Sequence, residues 1–218
     1  MNCKYCNGLC KKKGKYKMVQ KYQCSQCKKY QRSGYVYRSR TIEEEQQVKI
    51  LNNEGIGISS MSRILLIPKS SIQMLLLRCA LKLTDPPYDA IKKDYEIDEL
   101  YTYIGKKNAS CYIIYAIERS TRKIIDFVTG SRTKENIQRL IKRLLELIPR
   151  RIYTDKLNVF QSLIPSIIHR TLRYRTNRIE RKNLTIRTHL KRLSRKTICY
   201  SKSEKMLEAS FRLYAFGK

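Results

Sequence analysis

The stretch Cys111-Tyr-Ile-Ile-Tyr-Ala-Ile-Glu-Arg-Ser-Thr-Arg-Lys-Ile-Ile-Asp-Phe-Val-Thr129 decides the fold of the second half of the chain. Residues 111–118 and 123–129 are rich in β-branched and aromatic side chains, which favour strands. The short polar run between them, from Arg119 to Arg122, is typical of a tight turn. The stretch therefore predicts two antiparallel strands joined as a hairpin.

The residues on either side extend this hairpin into a larger sheet. Residues 95–105 predict a preceding strand, and residues 133–148 predict a helix with one apolar face that ends at Pro149. Residues 151–155 predict a fourth, short strand. Three strands, a helix, a fourth strand and further helices favour an α/β layout with one mixed sheet.

Aspartates are scarce in this half of the chain, and two of them occupy informative positions. After Asp94 the only aspartates are Asp98, Asp126 and Asp155. Asp98 lies in the first predicted strand, and Asp155 ends the fourth, where α/β sheets usually bind their ligands. If these two strands are neighbours, the two carboxylates are close together. Close carboxylates repel each other unless a cation lies between them.

A third carboxylate, Glu180, stands alone in a basic helix. Residues 177–187 read Asn-Arg-Ile-Glu-Arg-Lys-Asn-Leu-Thr-Ile-Arg, and Glu180 is the only acid among the ten Lys and Arg side chains of residues 170–195. With Asp98 and Asp155 it could complete a cage of hard oxygen ligands for Mg²⁺ or Mn²⁺. Such ions can support an in-line displacement at a phosphate.

Each of these acids also has a purely structural interpretation. Asn177 and Glu180 have the spacing of a helix N-cap and its third helical residue, and Asp155 could cap the helix that follows it. Glu96 and Glu99 are expected in solvent or in pairs with nearby lysines. Glu118 and Asp126, which flank the turn of Arg119 and Arg122, are expected in cross-strand ion pairs. His169 and His189 are expected on helix surfaces or facing DNA. The cysteines outside the first forty residues are expected as reduced core residues: Cys79, Cys111 and Cys199.

The first forty residues contain two cysteine pairs with the spacing of a metal site. Cys3-x2-Cys6 is followed after seventeen residues by Cys24-x2-Cys27. Two such pairs suit tetrahedral Zn²⁺, and four thiolates leave no position open for a catalytic water. We therefore predict a structural zinc-binding domain over residues 1–40. Cys10 could replace one ligand, although its spacing from Cys6 fits less well.

The next segment, residues 41–84, predicts a helix-turn-helix DNA-binding domain. Pro68 suits the first position of its second helix, because a proline there loses no hydrogen bond. The side chains of that helix divide into two groups. Those expected in the core are Ile72, Leu75 and Leu76. Those expected to face a DNA groove are Lys69, Ser70, Ser71 and Gln73. The prolines of residues 85–93 indicate a linker, which leaves residues 94–218 as the mixed-sheet domain.

The composition points to a polyanionic partner. The chain has 47 Lys and Arg against 18 Asp and Glu, a formal net charge of +29. Nucleic acid is a more probable partner for such a charge than an anionic membrane. The chain shows no apolar run of transmembrane length and no signal peptide. We therefore expect a cytoplasmic, nucleoid-associated protein. The sequence contains no glycine-rich phosphate loop, which counts against an NTPase or a Rossmann cofactor site.

Taken together, these motifs resemble the transposases of the insertion-sequence-one (IS1) family, within the class that carries an Asp-Asp-Glu triad. The specific part is Thr154-Asp155 followed by the stretch from Asn177 to Ser203, which is similar to the family's C-terminal signature. The run Asp98-Glu-Leu-Tyr resembles its first aspartate motif. The paired cysteines and the helix-turn-helix resemble its N-terminal half.

The resemblance implies a ribonuclease H-like catalytic domain that cuts at terminal inverted repeats and joins the 3′ ends to target DNA. It implies Asp98, Asp155 and Glu180 as the triad, with Mg²⁺ or Mn²⁺, and a homo-oligomeric synaptic complex on double-stranded DNA. The basic residues expected to hold that DNA are Arg181, Arg187 and Lys191. The alternative is a non-catalytic DNA-binding regulator of the element, or an inactive remnant.

Overall fold

The computed structural model describes residues 1–16, 18–33, 40–83, 91–171 and 177–217. The chain divides into two compact units, Met1–Thr41 and Ile42–Lys218. Residues 85–90 of the predicted linker at 85–93 lie outside the described residues, as does residue 84 before it.

The first unit is a small antiparallel sheet with almost no apolar core. Its strands are β1 (Cys10–Tyr16), β2 (Val19–Cys24) and β3 (Tyr30–Arg32), in the order β1-β2-β3. Two thiols, Cys3 and Cys24, are among its few buried side chains. So small a sheet needs a stabilising cross-link, such as a bound metal, in addition to hydrophobic burial.

The second unit is built on a five-stranded mixed sheet, which confirms the predicted architecture. Its strands, in the order β6-β5-β4-β7-β8, are β4 (Asp94–Tyr103), β5 (Ser110–Glu118), β6 (Ile124–Gly130), β7 (Arg151–Tyr153) and β8 (His169–Arg170). The first three pair as an antiparallel meander, and β7 and β8 add in parallel. The two-residue strand β8 was not predicted, because it is too short to show any alternation.

Seven helices are described in this unit. They are α1 (Ile42–Asn53), α2 (Ile58–Leu65), α3 (Lys69–Leu81), α4 (Lys134–Glu146), α5 (Asn158–Leu163), α6 (Asn177–His189) and α7 (Glu204–Phe216). Thr133 and Ser203 cap α4 and α7, because their hydroxyl oxygens accept the backbone N–H groups of Asn136 and Met206.

Helices cover both faces of the sheet. On one face, Tyr95 and Ile97 of β4 pack with α4 and α5. On the other, Leu100 packs with residues of α6 and α7, among them Ile179 and Ile186. Alternation along β4 thus sends Glu96, Asp98 and Leu100 to the face that α6 covers.

Helices α1 to α3 form a third core in which α7 takes part. Met206, Ala209 and Leu213 of α7 pack with the apolar side chains of α1 to α3. The division of residues 41–218 into a helix-turn-helix domain, a linker and a catalytic domain stays a prediction. The shared core shows that α1 to α3 and α7 are packed as one body.

The pair α2 and α3 has the geometry of two short helices joined by a sharp turn. Their axes are bent by 107°, and Leu66 makes the turn in the left-handed conformation at φ 54°. Helix α3 begins at Lys69, so Pro68 lies just before the helix rather than at its first position. No single helix in the described ranges is long and apolar enough to cross a membrane, although this bent pair passes by length and composition alone.

Candidate functional site

The four cysteines of the two predicted pairs converge on one point. The Sγ atoms of Cys3, Cys6, Cys24 and Cys27 all lie within 4.8 Å of one another. The Sγ atoms of Cys3 and Cys27 are 3.6 Å apart, and those of Cys6 and Cys24 are 3.5 Å apart. A tetrahedral ion with Zn–S bonds of about 2.3 Å would hold sulfurs about 3.8 Å apart. The cluster could therefore hold zinc.

The two cysteine pairs form matching turns. The N–H of Cys3 donates to the carbonyl of Gly8, and the N–H of Cys24 donates to that of Lys29, the same spacing in each case. The residues after the second cysteine of each pair, Asn7 and Lys28, share the left-handed conformation, at φ 57° and 58°. The sequence folds both segments into the same thiolate-presenting loop.

Backbone donors favour the thiolate form in this cluster. The N–H of Tyr5 lies 3.4 Å from the Sγ of Cys3 and lowers the pKa of that thiol. Burial raises the pKa of Cys24, but the backbone N–H groups of Cys27 and Gln26, with contacts from the thiols of Cys6 and Cys27, lower it to about 6. The N–H of Lys29 lowers the pKa of Cys27, but burial and the neighbouring thiols raise it to about 12, so that thiol keeps its proton until a metal displaces it. Cys10, the fifth cysteine of this unit, is outside the group of four.

The sheet brings the two predicted aspartates together. Strand β7 lies parallel to β4, with Asp94 opposite Arg151 and Glu96 opposite Tyr153. Two further residues in the same register bring Asp98 level with Asp155. Burial raises the pKa of Asp98, and the charges of Asp155 and Glu180 raise it further, while hydrogen bonds from Glu99 and Asn183 lower it. The three predicted carboxylates are thus electrostatic neighbours.

A buried glutamate fixes the start of the helix that carries Glu180. The side chain of Glu96 is fully buried, and its Oε2 accepts the backbone N–H of Ile179 at 3.0 Å. Its Oε1 accepts the Nε of Arg119 at 2.8 Å. Glu96 therefore satisfies one of the free donors at the start of α6. Glu180 follows Ile179 in α6, and Asp98 lies on β4 together with Glu96. The contact between Glu96 and Ile179 therefore fixes Glu180 relative to Asp98.

Asn183 links α6 directly to Asp98. Its Nδ2 donates to the Oδ2 of Asp98 at 2.6 Å, and its Oδ1 accepts the hydroxyl of Tyr115 at 2.8 Å. The register places Tyr115 opposite Asp98 on the neighbouring strand. The backbone N–H of Glu99 donates to the other oxygen of Asp98 at 2.8 Å. Sequence reasoning missed Asn183, although its position three residues after Glu180 puts both on one helix face.

Asp155 is exposed at the end of β7 and is held by short contacts. Its Oδ1 accepts the N–H of Leu157 at 3.1 Å, but helix α5 begins at Asn158 without a side-chain cap, so the expected capping of that helix by Asp155 is wrong. The hydroxyl of Thr154 donates to the carbonyl of Asp155 at 2.8 Å and lies 2.8 Å from the Nε2 of His169. His169 was predicted on a helix surface or facing DNA; it lies half-buried in β8, where its ring contacts the hydroxyl of Thr154, next to Asp155.

A basic cavity of about 690 Å³ opens beside Glu180. Asn183, Arg187 and Arg195 are among the residues that line it. Burial and the charge of Arg195 lower the pKa of Arg187, whose guanidinium donates to the carbonyls of Leu193 and Tyr101 at 2.6 and 3.2 Å. Two guanidinium groups that repel each other beside an acid make this cavity receptive to an anion.

The other residues predicted to bind DNA lie on two separate surfaces of this unit. Lys69, Ser70 and Gln73 are exposed at the start of α3, and Ser71 is half-buried. The predicted inward residues of that helix are all buried: Ile72, Leu75 and Leu76. Arg181 is exposed on α6, and Lys191 is exposed in a 3-10 turn, Lys191–Leu193, because α6 ends at His189.

Some structural expectations for other side chains were wrong. Glu96 is neither solvated nor paired with a lysine, because it is buried against Arg119. Asp126 pairs with Arg143 of α4 at 2.6 Å, which lies outside the hairpin. Cys199 is exposed rather than in the core, whereas Cys79 and Cys111 are buried as expected. The errors for Glu96 and Asp126 come from partners that are distant in sequence.

Comparison with known proteins identifies the family of the chain. A sequence model described as IS1 transposase matches residues 94–215. This is the part of the chain that contains the mixed sheet and all three carboxylates. The chain belongs to the IS1 transposase family, which supports a transposase role.

Relatives in enterobacteria agree with this assignment. The iso-IS1n protein InsB of Shigella dysenteriae is 34% identical over 113 residues, which are 52% of this chain and 86% of the relative. The IS1 protein InsB of Shigella flexneri is 35% identical over 108 residues, 50% of this chain and 82% of the relative. A solved simian T-cell lymphotropic virus intasome in complex with a PP2A regulatory subunit gives a TM-score of 0.40 at 12% identity, covering 76% of this chain and 67% of that one. A likeness at this level carries no argument.

Proposed function

We propose that the chain is an active DNA transposase that cuts at the terminal inverted repeats of its element and joins the 3′ ends to target DNA. The observation that carries the proposal is the meeting of Asp98, Asp155 and Glu180, which come from three separate elements, in a region that is otherwise strongly basic. A regulator that only binds DNA has no use for three mutually repelling carboxylates.

The donor set suits Mg²⁺ or Mn²⁺. Three carboxylates are hard oxygen ligands, and the raised pKa of Asp98 reflects burial together with like charges that a cation would neutralise. The three would hold the ion, which when bound supplies charge neutralisation at the phosphate and activation of the attacking oxygen. Asn183 and the N–H of Glu99 hold the Asp98 carboxylate in one orientation.

The basic residues around the triad would bind and orient the DNA. Arg187 and Arg195 line the cavity beside Glu180, where they would attract a phosphate of the reacting strand. Arg181 and Lys191 are exposed nearby in sequence and would contact neighbouring phosphates. In this proposal the catalytic part has a ribonuclease H-like fold, and several copies assemble on the element ends near the nucleoid.

The remaining parts would recognise the element ends. The exposed start of α3, with Lys69, Ser70 and Gln73, would enter a major groove as the second helix of a helix-turn-helix. The cysteine cluster would hold structural Zn²⁺, since its four sulfurs already converge. Lysines and arginines of the small sheet would add phosphate contacts.

The test uses matched amide variants of the triad in a strand-transfer assay with the ends of the element. We expect Asp98→Asn, Asp155→Asn and Glu180→Gln each to lower metal-dependent cleavage and joining by about a thousandfold or more. DNA binding should stay within a few-fold of the wild type. Joining at wild-type rates by any of the three variants would overturn the triad assignment. Loss of DNA binding in all three would favour a structural role instead.

A further inference from the structure

The second unit contains another basic cleft, separate from the cavity beside Glu180. It has a volume of about 470 Å³ at the start of β4. Its basic lining residues come from four segments that are distant in sequence: Lys92 and Lys93, Arg119, Arg150, and Arg178. Asp94 is the one acid in the lining.

Two of these cations are already neutralised. Arg150 makes a two-pronged pair with Asp94, with its Nε and Nη2 at 2.9 and 2.8 Å from the two carboxylate oxygens. Arg119 pairs with the buried Glu96 and lies over the ring of Tyr153, 4.0 Å from its centroid. These ion pairs hold the walls of the cleft in place. They also leave Asp94 and Glu96 already paired.

Three cations remain directed at solvent. Lys92, Lys93 and Arg178 are exposed, and no carboxylate in the described part of the chain lies within 4 Å of their charged groups. Like charges gathered in one cleft repel each other, and an anion relieves that repulsion. The hydrogen bond from Ser120 and the charge of Lys93 help to lower the pKa of Glu118, so one more acid lies near the cleft. Against the three exposed cations, this one acid leaves an excess of positive charge in a concave site.

The backbone that carries the two lysines is fixed. The N–H of Lys92 donates to the carbonyl of Leu147 at 3.0 Å, and the carbonyl of Lys93 accepts the N–H of Arg150 at 2.9 Å. Lys92 is held in the left-handed conformation at φ 56°, which a residue with a side chain adopts at some cost. The two lysines are thus held on a fixed segment that leads into β4, the central strand of the sheet.

We propose that this cleft is a second DNA-backbone site, which holds phosphates of the duplex some distance from the reacting one. Four residues of β4 separate Asp94, in the cleft, from Asp98, a distance of about 13 Å along the strand. That distance corresponds to about four nucleotides along one strand of B-DNA. A duplex placed at the carboxylates is then held at two points, which fixes its direction across the sheet. The proposal rests on the proposed function, because it takes the reacting phosphate to lie at Asp98.

The experiment compares two pairs of exposed lysines in the full chain. Lys92→Gln/Lys93→Gln removes two charges from the cleft. Lys134→Gln/Lys142→Gln removes two from α4, on the other face of the sheet. With a short labelled duplex of unrelated sequence, the cleft variant should bind about tenfold more weakly and lose about two units of salt-dependence slope, since each lost phosphate contact lowers the slope by about 0.9. The α4 variant should match the wild type.

The location of the contact is tested with neutral phosphates. Duplexes that carry one methylphosphonate at successive positions of the strand should bind the wild type more weakly when the neutral group lies about four nucleotides from the cleaved position. That dependence should vanish in the cleft variant and in Arg178→Gln. Equal weakening by both lysine pairs, or a methylphosphonate profile unchanged by the cleft variant, would overturn the proposal.

The result also separates this inference from the proposed function. If the cleft variant binds and joins DNA like the wild type, the second site is wrong and the transposase proposal stands. If the wild type itself fails to cut or join the ends of its element, the proposed function fails whatever the cleft does.

Discussion

The cysteine cluster and the carboxylate cluster are built on opposite principles. Four thiols within 25 residues, Cys3 to Cys27, converge within 4.8 Å through two copies of one short loop. Asp98 comes from β4, Asp155 from the segment after β7 and Glu180 from α6. Within the described residues only the cysteines bring all their ligand atoms so close. The first site is preassembled by local backbone geometry. The second is held by packing between distant segments, and in the proposed function a bound cation offsets the repulsion of its carboxylates.

This difference separates folding from function. In the proposed function, a small sheet with few buried apolar side chains would depend on the Zn²⁺ of its cysteine cluster for stability. The mixed sheet has two extensive apolar cores of its own and does not need the carboxylates to fold. Loss of metal should therefore unfold the first unit and merely inactivate the second.

The largest expected effect is on the first unit. Cys24→Ser, or removal of zinc by a chelator, should unfold residues 1–33 completely, because metal binding supplies on the order of 10 kcal/mol in such units. The second unit should keep its structure. Amide exchange followed by mass spectrometry distinguishes the two units in one experiment.

Cys10→Ser is the matched control for that variant. Its thiol lies outside the group of four, so zinc affinity and exchange should be those of the wild type. Protection of residues 1–33 that survives the chelator would show that the sheet folds without metal.

The next effect concerns the glutamate that positions α6. Glu96→Gln leaves the guanidinium of Arg119 without its buried partner, so the free energy of unfolding should fall by about 3 kcal/mol. Glu99→Gln is the control. Its partner Arg132 is 39% exposed, and the loss should stay below about 1 kcal/mol. Urea denaturation of both variants measures the difference, and equal losses would contradict the structural role given to Glu96.

The smallest effect concerns Asn183, which holds the Asp98 carboxylate through its amide. Asn183→Ala should raise the metal concentration needed for half-maximal cleavage by about 10-fold to 100-fold, the usual effect of losing a group that orients a metal ligand. Thr185→Ala, on the same helix, should not. An Asn183→Ala enzyme with unchanged metal dependence would show that Asn183 only helps α6 to pack.

Sequence patterns predicted the parts of this molecule whose signals are local. The patterns of the hairpin, the apolar face of α4 and the paired cysteines each span a short stretch of sequence, and the structure agrees with each. The placement of Asp98 beside Asp155 followed from one conditional step, that the first and fourth strands are neighbours, and the sheet order meets that condition.

The unpredicted features depend on contacts between distant residues. Glu96 is buried because α6 begins beside it, 83 residues later in the chain. Asn183 differs from any other polar helix residue only through Asp98 and Tyr115. Strand β8 exists because β7 offers it an edge, and its two residues have no pattern of their own. No propensity or spacing rule contains this information.

The most direct test of the account is the binding of Mn²⁺ to the zinc-loaded full chain, followed by electron paramagnetic resonance. We predict a site that Asp98→Asn, Asp155→Asn and Glu180→Gln each weaken by about tenfold or more, since each removes one of three oxygen ligands. Glu99→Gln, which alters an acid next to Asp98 that already pairs with Arg132, should retain it. Unchanged Mn²⁺ affinity in the three triad variants would contradict the claim that these carboxylates form one metal-binding catalytic site.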